Sequence, residues 1–100
     1  MDITAQQLNQ QLKNGSDAQI VDVREPAEVA AGMIAGARHI PLGELPARLG
    51  ELDKTRPVVA VCRSGRRSAA AADQLAAAGF TAYTMTGGML DWSEAGLPAG

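Results

Sequence analysis

Apolar positions along this chain change their period from segment to segment. Leu8 and Leu12 lie on one face of a helix. They follow Thr4-Ala5-Gln6-Gln7, which has the form of a capping box with Thr4 as N-cap and Gln7 at the third helical position. Asn14-Gly15 ends that helix. Ile20-Val21-Asp22-Val23 is a short apolar run and predicts a strand. Glu25-Pro26 suits the start of a second helix, because proline is tolerated in a first turn, and Gly32 ends it. Ala37 to Ile40 predicts a short strand before Pro41. Leu42, Leu45 and Leu49 are helically spaced, with Pro46 limiting that helix to a turn or two. Pro57 to Val61 is apolar throughout and predicts a strand buried on both faces. Ser68 to Ala78 is alanine-rich and predicts the strongest helix, closed by Gly79. Thr81 to Met85 predicts another strand, Gly87-Gly88 a turn, and Met89 to Ala95 a last short helix.

Strand and helix signals thus alternate, with no linker, repeat or low-complexity tract between them. That alternation predicts an α/β fold with a mainly parallel sheet. The length of 100 residues predicts one domain over residues 1–100. Sites in open parallel sheets lie at the carboxyl ends of the strands.

Composition narrows the chemistry. The chain has one cysteine, Cys62, and one histidine, His39. It therefore has no internal disulfide and no Cys/His cluster for zinc or iron, and we expect neither a metal nor a cofactor. The formal net charge of −2 and a pI near 5.2 argue against a nucleic-acid or anionic-membrane binder. No apolar run is long enough for a transmembrane helix. Met1-Asp2-Ile3-Thr4 lacks the charged and apolar regions of a secretory signal. A free thiol without export signals predicts a cytoplasmic location.

The densest chemistry is the run Cys62-Arg63-Ser64-Gly65-Arg66-Arg67-Ser68, placed between the strongest strand and the strongest helix. A thiol there meets backbone N–H groups, a helix N-terminus and three arginines, all of which favour negative charge on sulfur. Gly65 permits a tight turn, and the free N–H groups of the helix start can hold an anion. The run supplies no general acid or base. It suits a sulfur nucleophile whose reaction needs little proton transfer, with a small anion as its partner.

Cys62 through Ser68 resembles the active-site loop of the rhodanese (thiosulfate sulfurtransferase) family. Three other segments carry the same resemblance. Val21-Asp22-Val23-Arg24-Glu25-Pro26-Ala27-Glu28 is similar to the family's early strand with its Asp-x-Arg signature. Gly32-Met33-Ile34-Ala35-Gly36-Ala37-Arg38-His39-Ile40-Pro41 is similar to its Gly-His-Ile-Pro-Gly-Ala-x-x-Ile-Pro stretch, with Met33 and Ala35 in place of the usual histidine and proline. Gly87-Gly88-Met89 through Trp92 to Gly96-Leu97-Pro98 is similar to its closing segment.

The resemblance implies a rhodanese-like sheet of about five strands with helices on both faces. It implies a two-step sulfur transfer. Cys62 takes the outer sulfur of a donor such as thiosulfate or a persulfide, and the resulting persulfide passes it to a thiol or cyanide. Arg63, Ser64, Gly65, Arg66, Arg67 and Ser68 would bind the substrate. A sulfur-relay protein is a further candidate partner. The same loop also serves a dedicated protein-to-protein sulfur carrier, and a non-catalytic binding or regulatory module is the remaining alternative. Related cysteine phosphatases need an arginine six positions after the cysteine, where this chain has Ser68. The shorter loop suits a sulfur atom better than a tetrahedral phosphate.

Neighbouring residues take plainer readings. Asp22 and Arg24 read as a structural ion pair, His39 as a surface or packing residue, and Trp92 as core. Of the arginines, Arg63 and Arg67 are the better candidates for the pocket. Ser68 suits N-capping as well as substrate contact. Met85 and Met89 are candidates for packing or for the pocket rim, and Asp73, Gln74 and Glu94 read as exposed helix positions.

Overall fold

The structure, a computed structural model, describes residues 1–100. Five parallel strands form one sheet: β1 (Asp2–Ile3), β2 (Gln19–Asp22), β3 (Arg38–His39), β4 (Val58–Val61) and β5 (Ala82–Met85), in the order β1-β5-β4-β2-β3. Five α-helices connect and cover them: α1 (Ala5–Lys13), α2 (Pro26–Val29), α3 (Leu45–Arg48), α4 (Arg66–Ala77) and α5 (Gly88–Glu94). The predicted mainly parallel α/β sheet is present, and every strand pair is parallel. No helix is long and apolar enough to cross a membrane.

Side chains of a strand alternate between the two faces, and the core divides accordingly. Val21, Val23, Val58, Ala60, Cys62 and Ala82 pack on one face against Leu45, Ala71, Ala72 and Leu75. Ile20, Val59, Val61 and Met85 pack on the other against Ala5, Leu8 and Trp92. β4 is buried at all four positions, as a central strand covered on both sides must be. Trp92 is core, and its indole N–H donates to the Pro98 carbonyl at 3.0 Å. Met85 is fully buried in the core and lines no rim. Asp73, Gln74 and Glu94 are exposed.

Local signals act as their chemistry dictates at the N-terminus. Thr4 Oγ1 accepts from Gln7 N–H, and Gln7 Oε1 accepts from Thr4 N–H, so the capping box closes. The leucine-spaced segment is broken into a 3₁₀ turn at Leu42–Glu44, the short α3, and another 3₁₀ turn at Leu49–Glu51. Most element ends lie within a residue or two of the sequence reading, and two differences bear on the site. β1 was hidden because two residues cannot show a period; Ile3 is held by its pairing with Met85. α4 begins at Arg66, two residues before the predicted start, and its N-cap is Gly65 at φ +102° rather than Ser68.

β2 leads through α2 to β3 on one side, while β4 leads through α4 to β5 on the other. The order in which strands are added along the sheet therefore reverses between the parallel strands β2 and β4, and a crevice opens at their carboxyl ends. Val23 N–H donates to the Val61 carbonyl at 2.9 Å just below that point. Cys62 follows β4 directly into the crevice.

Candidate active site

Cys62 is fully buried at the floor of the turn. Its Sγ accepts from Gly65 N–H at 3.1 Å and from Ser68 N–H at 3.3 Å. Ser68 Oγ lies 3.5 Å away and accepts from the neutral thiol. The left-handed backbone at Gly65 is what turns these donors inward, and an added Cβ there would sit 3.2 Å from Gly87 N. Ser64 N–H adds a weaker donor. Burial pushes the Cys62 thiol up. The Ser68 hydroxyl and the N–H groups of Ser68, Gly65 and Ser64 outweigh it, leaving the thiol below its ordinary value. The site thus favours thiolate, and it does so with dipoles more than with neighbouring full charges.

The start of α5 holds this loop from behind. Met89 N–H donates to the Cys62 carbonyl at 2.8 Å and Leu90 N–H to the Arg63 carbonyl at 3.0 Å. With the carbonyls taken by α5, the N–H groups of the loop are left facing the sulfur. The contact is close enough to require Gly88: a Cβ there would lie 2.4 Å from the Arg63 oxygen and 2.5 Å from the Cys62 oxygen. In the sequence Gly87-Gly88 reads as a turn; the paired glycines are the visible signal, and the contact itself shows only in the fold. They are the N-cap and first residue of α5.

The three arginines take different places. Arg67 donates through both terminal nitrogens to Glu28, at 2.6 and 2.8 Å, and so joins α4 to α2 across the crevice. Its guanidinium is tied to a carboxylate rather than free for a ligand. The hydrogen bonds from Arg67 hold the Glu28 carboxyl far down, at about 2. Arg63 is exposed and lines a groove of about 310 Å³ with Arg24, Gly32, Met89 and Leu90. Met89 lines this groove and also packs against the core under α5. Arg66 and Ser64 are exposed, and Arg66 makes no ion pair.

Asp22 and Arg24 form the buried ion pair expected of them. Arg24 Nε and Nη2 bond both Asp22 oxygens at 2.8–3.1 Å, and Arg24 Nη2 also donates to the Gly32 carbonyl at 2.7 Å. His39 Nε2 pairs with the Arg24 carbonyl at 2.7 Å and makes no hydrogen bond to Cys62. It is half-buried and packs beside the Asp22–Arg24 pair. The pair fixes the β2 side of the crevice as α5 fixes the β4 side.

A parallel sheet with a thiol held by N–H donors at its reversal point defines a class of protein, and comparison with known proteins gives the family. A model of the rhodanese-like domain matches residues 4–95. The chain belongs to that family. It is 40% identical over 98 residues to a sulfurtransferase of Allochromatium vinosum, covering 97% of this chain and 92% of that protein. It is 36% identical over 91 residues to the thiosulfate sulfurtransferase GlpE of Pseudomonas aeruginosa, covering 90% and 81%. The crystal structure of a rhodanese-related protein from Thermoplasma volcanium superposes with a TM-score of 0.91 at 33% identity, covering 99% and 96%.

Proposed function

We propose that this chain is a single-domain sulfurtransferase that carries sulfane sulfur as a persulfide on Cys62. One observation carries the proposal: the Cys62 sulfur receives the Gly65 and Ser68 N–H groups at the start of α4, with no acid or base hydrogen-bonded to it. Such a cradle stabilises an anionic sulfur and leaves proton transfer aside.

The first half-reaction follows from that. The Cys62 thiolate attacks the outer sulfur of thiosulfate. The donor's S–S bond breaks, and sulfite leaves with the bonding pair. The terminal sulfur of the new persulfide carries the negative charge into the same set of donors. In the second half-reaction cyanide or a thiolate attacks that terminal sulfur, the persulfide bond breaks, and the Cys62 thiolate returns. No metal or cofactor takes part.

Arg63 and Arg66 supply positive field for an incoming anion, without the screening that Glu28 gives Arg67. The groove beside Arg63, with Met89 and the exposed Leu90, suits an acceptor thiol on a small molecule or a relay protein. The thiolate needs a reducing compartment such as the cytoplasm.

The test is thiocyanate formation from thiosulfate and cyanide, by the wild type and by Cys62→Ala. Product that depends on Cys62 is the expected result. Equal product from both removes the persulfide mechanism. No product from either removes thiosulfate as donor.

A further inference from the structure

Beneath Cys62 lies a second hydroxyl that the sulfur chemistry described above does not use. Thr84, on β5, is buried on the α4 side of the sheet, between β1 and β4. Its Oγ1 stands 2.7 Å from Ser68 Oγ and has no other polar partner. Ser68 Oγ also lies 3.1 Å from the Gly65 carbonyl and 3.5 Å from Cys62 Sγ.

The hydrogens can be assigned by counting. A hydroxyl offers one hydrogen and two lone pairs. Thr84 has no acceptor within reach except Ser68 Oγ, so its hydrogen goes there. With the neutral thiol, Ser68 oxygen accepts from Thr84 and from the Cys62 S–H, and its own hydrogen goes to the Gly65 carbonyl. Ionising Cys62 removes the S–H donor. The Ser68 hydrogen then turns to the sulfur, and the Gly65 carbonyl keeps its bond from Ala69 N–H at 3.2 Å. Thr84 is now the only donor left to a buried oxygen. Without it, forming the thiolate would strip that oxygen bare, which is costly in the interior. With it, the Ser68 O–H is polarised toward the sulfur.

We propose that Thr84 is a positioning residue for Cys62, acting through Ser68 to support the sulfur anion in both the thiolate and the persulfide. The inference rests on the reading of Cys62 as a sulfur nucleophile. Charged groups around the site are Arg63 and Arg66 at the loop, Arg67 with Glu28 and Glu25 across the crevice, Asp22 with Arg24 on the β2 side, Asp91 beside Gly87 on α5, and the exposed Asp2 of β1, the register partner of Thr84. β5 presents no titratable group on this face; Tyr83 packs with the opposite core. A change at Thr84 leaves all of them in place.

The experiment is a pH titration of thiolate ultraviolet absorbance, with Cys62→Ala as baseline. Thr84→Val should raise the Cys62 midpoint by about half to one pH unit, the worth of one hydrogen bond. Thr84→Ser should return it to the wild-type value. In a Ser68→Ala background Thr84→Val should add nothing, because the path through Ser68 is already cut. An unshifted midpoint in Thr84→Val, or an equal shift with and without Ser68, overturns the proposal. Thr84→Ala takes the place of the valine variant if that one does not fold, with the same readings. Thiocyanate production with an unshifted midpoint defeats this inference alone. A shifted midpoint without Cys62-dependent product defeats the transfer reaction and leaves the relay standing.

Discussion

Gly88→Ala isolates the contact on which the sulfur cradle depends. A Cβ at Gly88 would stand 2.4 Å from the Arg63 oxygen and 2.5 Å from the Arg63 carbon and the Cys62 oxygen, all of them backbone. No side chain can swing away to relieve it. To reach ordinary contact, α5 and the loop must part by about 1 Å. The bonds from Met89 and Leu90 to the loop, now 2.8 and 3.0 Å, then fall outside hydrogen-bond range. Two lost backbone bonds cost about 1 kcal/mol each. Placing a side chain at φ +56° costs about another 1 kcal/mol. The sum, about 3 kcal/mol, is a large share of the ~5–15 kcal/mol that holds a domain together. At about 4–8 °C per kcal/mol for a chain this size, melting should fall by at least about 12 °C. The assay is a thermal melt followed by circular dichroism, paired with the thiocyanate assay below the melt. Activity should fall further than the folded fraction, because the loop donors lose their aim. A melting point within about 3 °C of wild type, together with unchanged activity, would refute the role given to Gly88.

Three other outcomes follow from the same geometry. Asp22→Asn leaves Arg24 buried without a carboxylate and should destabilise by about 3–5 kcal/mol in urea unfolding, with Asp22→Asn/Arg24→Leu recovering part of it. Glu28→Gln should cost about 1 kcal/mol at pH 7, since both partners of the Arg67 pair are about a third exposed and screened by solvent. The Glu28 carboxyl falls from 4.5 to about 2 on folding, so its contribution is complete above pH 4.5 and is lost as pH drops toward 2; the gap between the two proteins in urea midpoints should close over that range. The rate of sulfur uptake by Cys62 from thiosulfate should rise with pH through a midpoint below that of free cysteine, because the loop donors outweigh burial; a midpoint above it would mean that desolvation wins.

What could be read in the sequence follows physical scale. Uniformly apolar β4 and alanine-rich α4 each carry enough residues to show their state, and both are present. Cys62 stands out because it is the lone thiol between them. β1 is too short to have a period and exists only through its pairing with β5. The start of α4 was misplaced because Ser68 is a good N-cap by type, whereas left-handed Gly65 takes that place and turns Ser68 inward to Thr84 and the sulfur. Arg67 was read as a pocket residue because sequence shows a charge but not its partner, and Glu28 is 39 positions away. Thr84 and Gly88 owe their importance to contacts across elements, with Ser68 and with the Cys62–Arg63 carbonyls. The paired glycines are a local sign of the second contact, whereas no local pattern marks the first.

The central claim is that sulfur travels on Cys62, and intact-mass spectrometry tests it directly. The chain has one cysteine, so a persulfide has one place to form. Incubation with thiosulfate, without an acceptor, should add the mass of one sulfur atom to the wild type and nothing to Cys62→Ala. Cyanide should then remove it. A wild-type protein that gains no sulfur, or a Cys62→Ala protein that gains as much, would contradict the account.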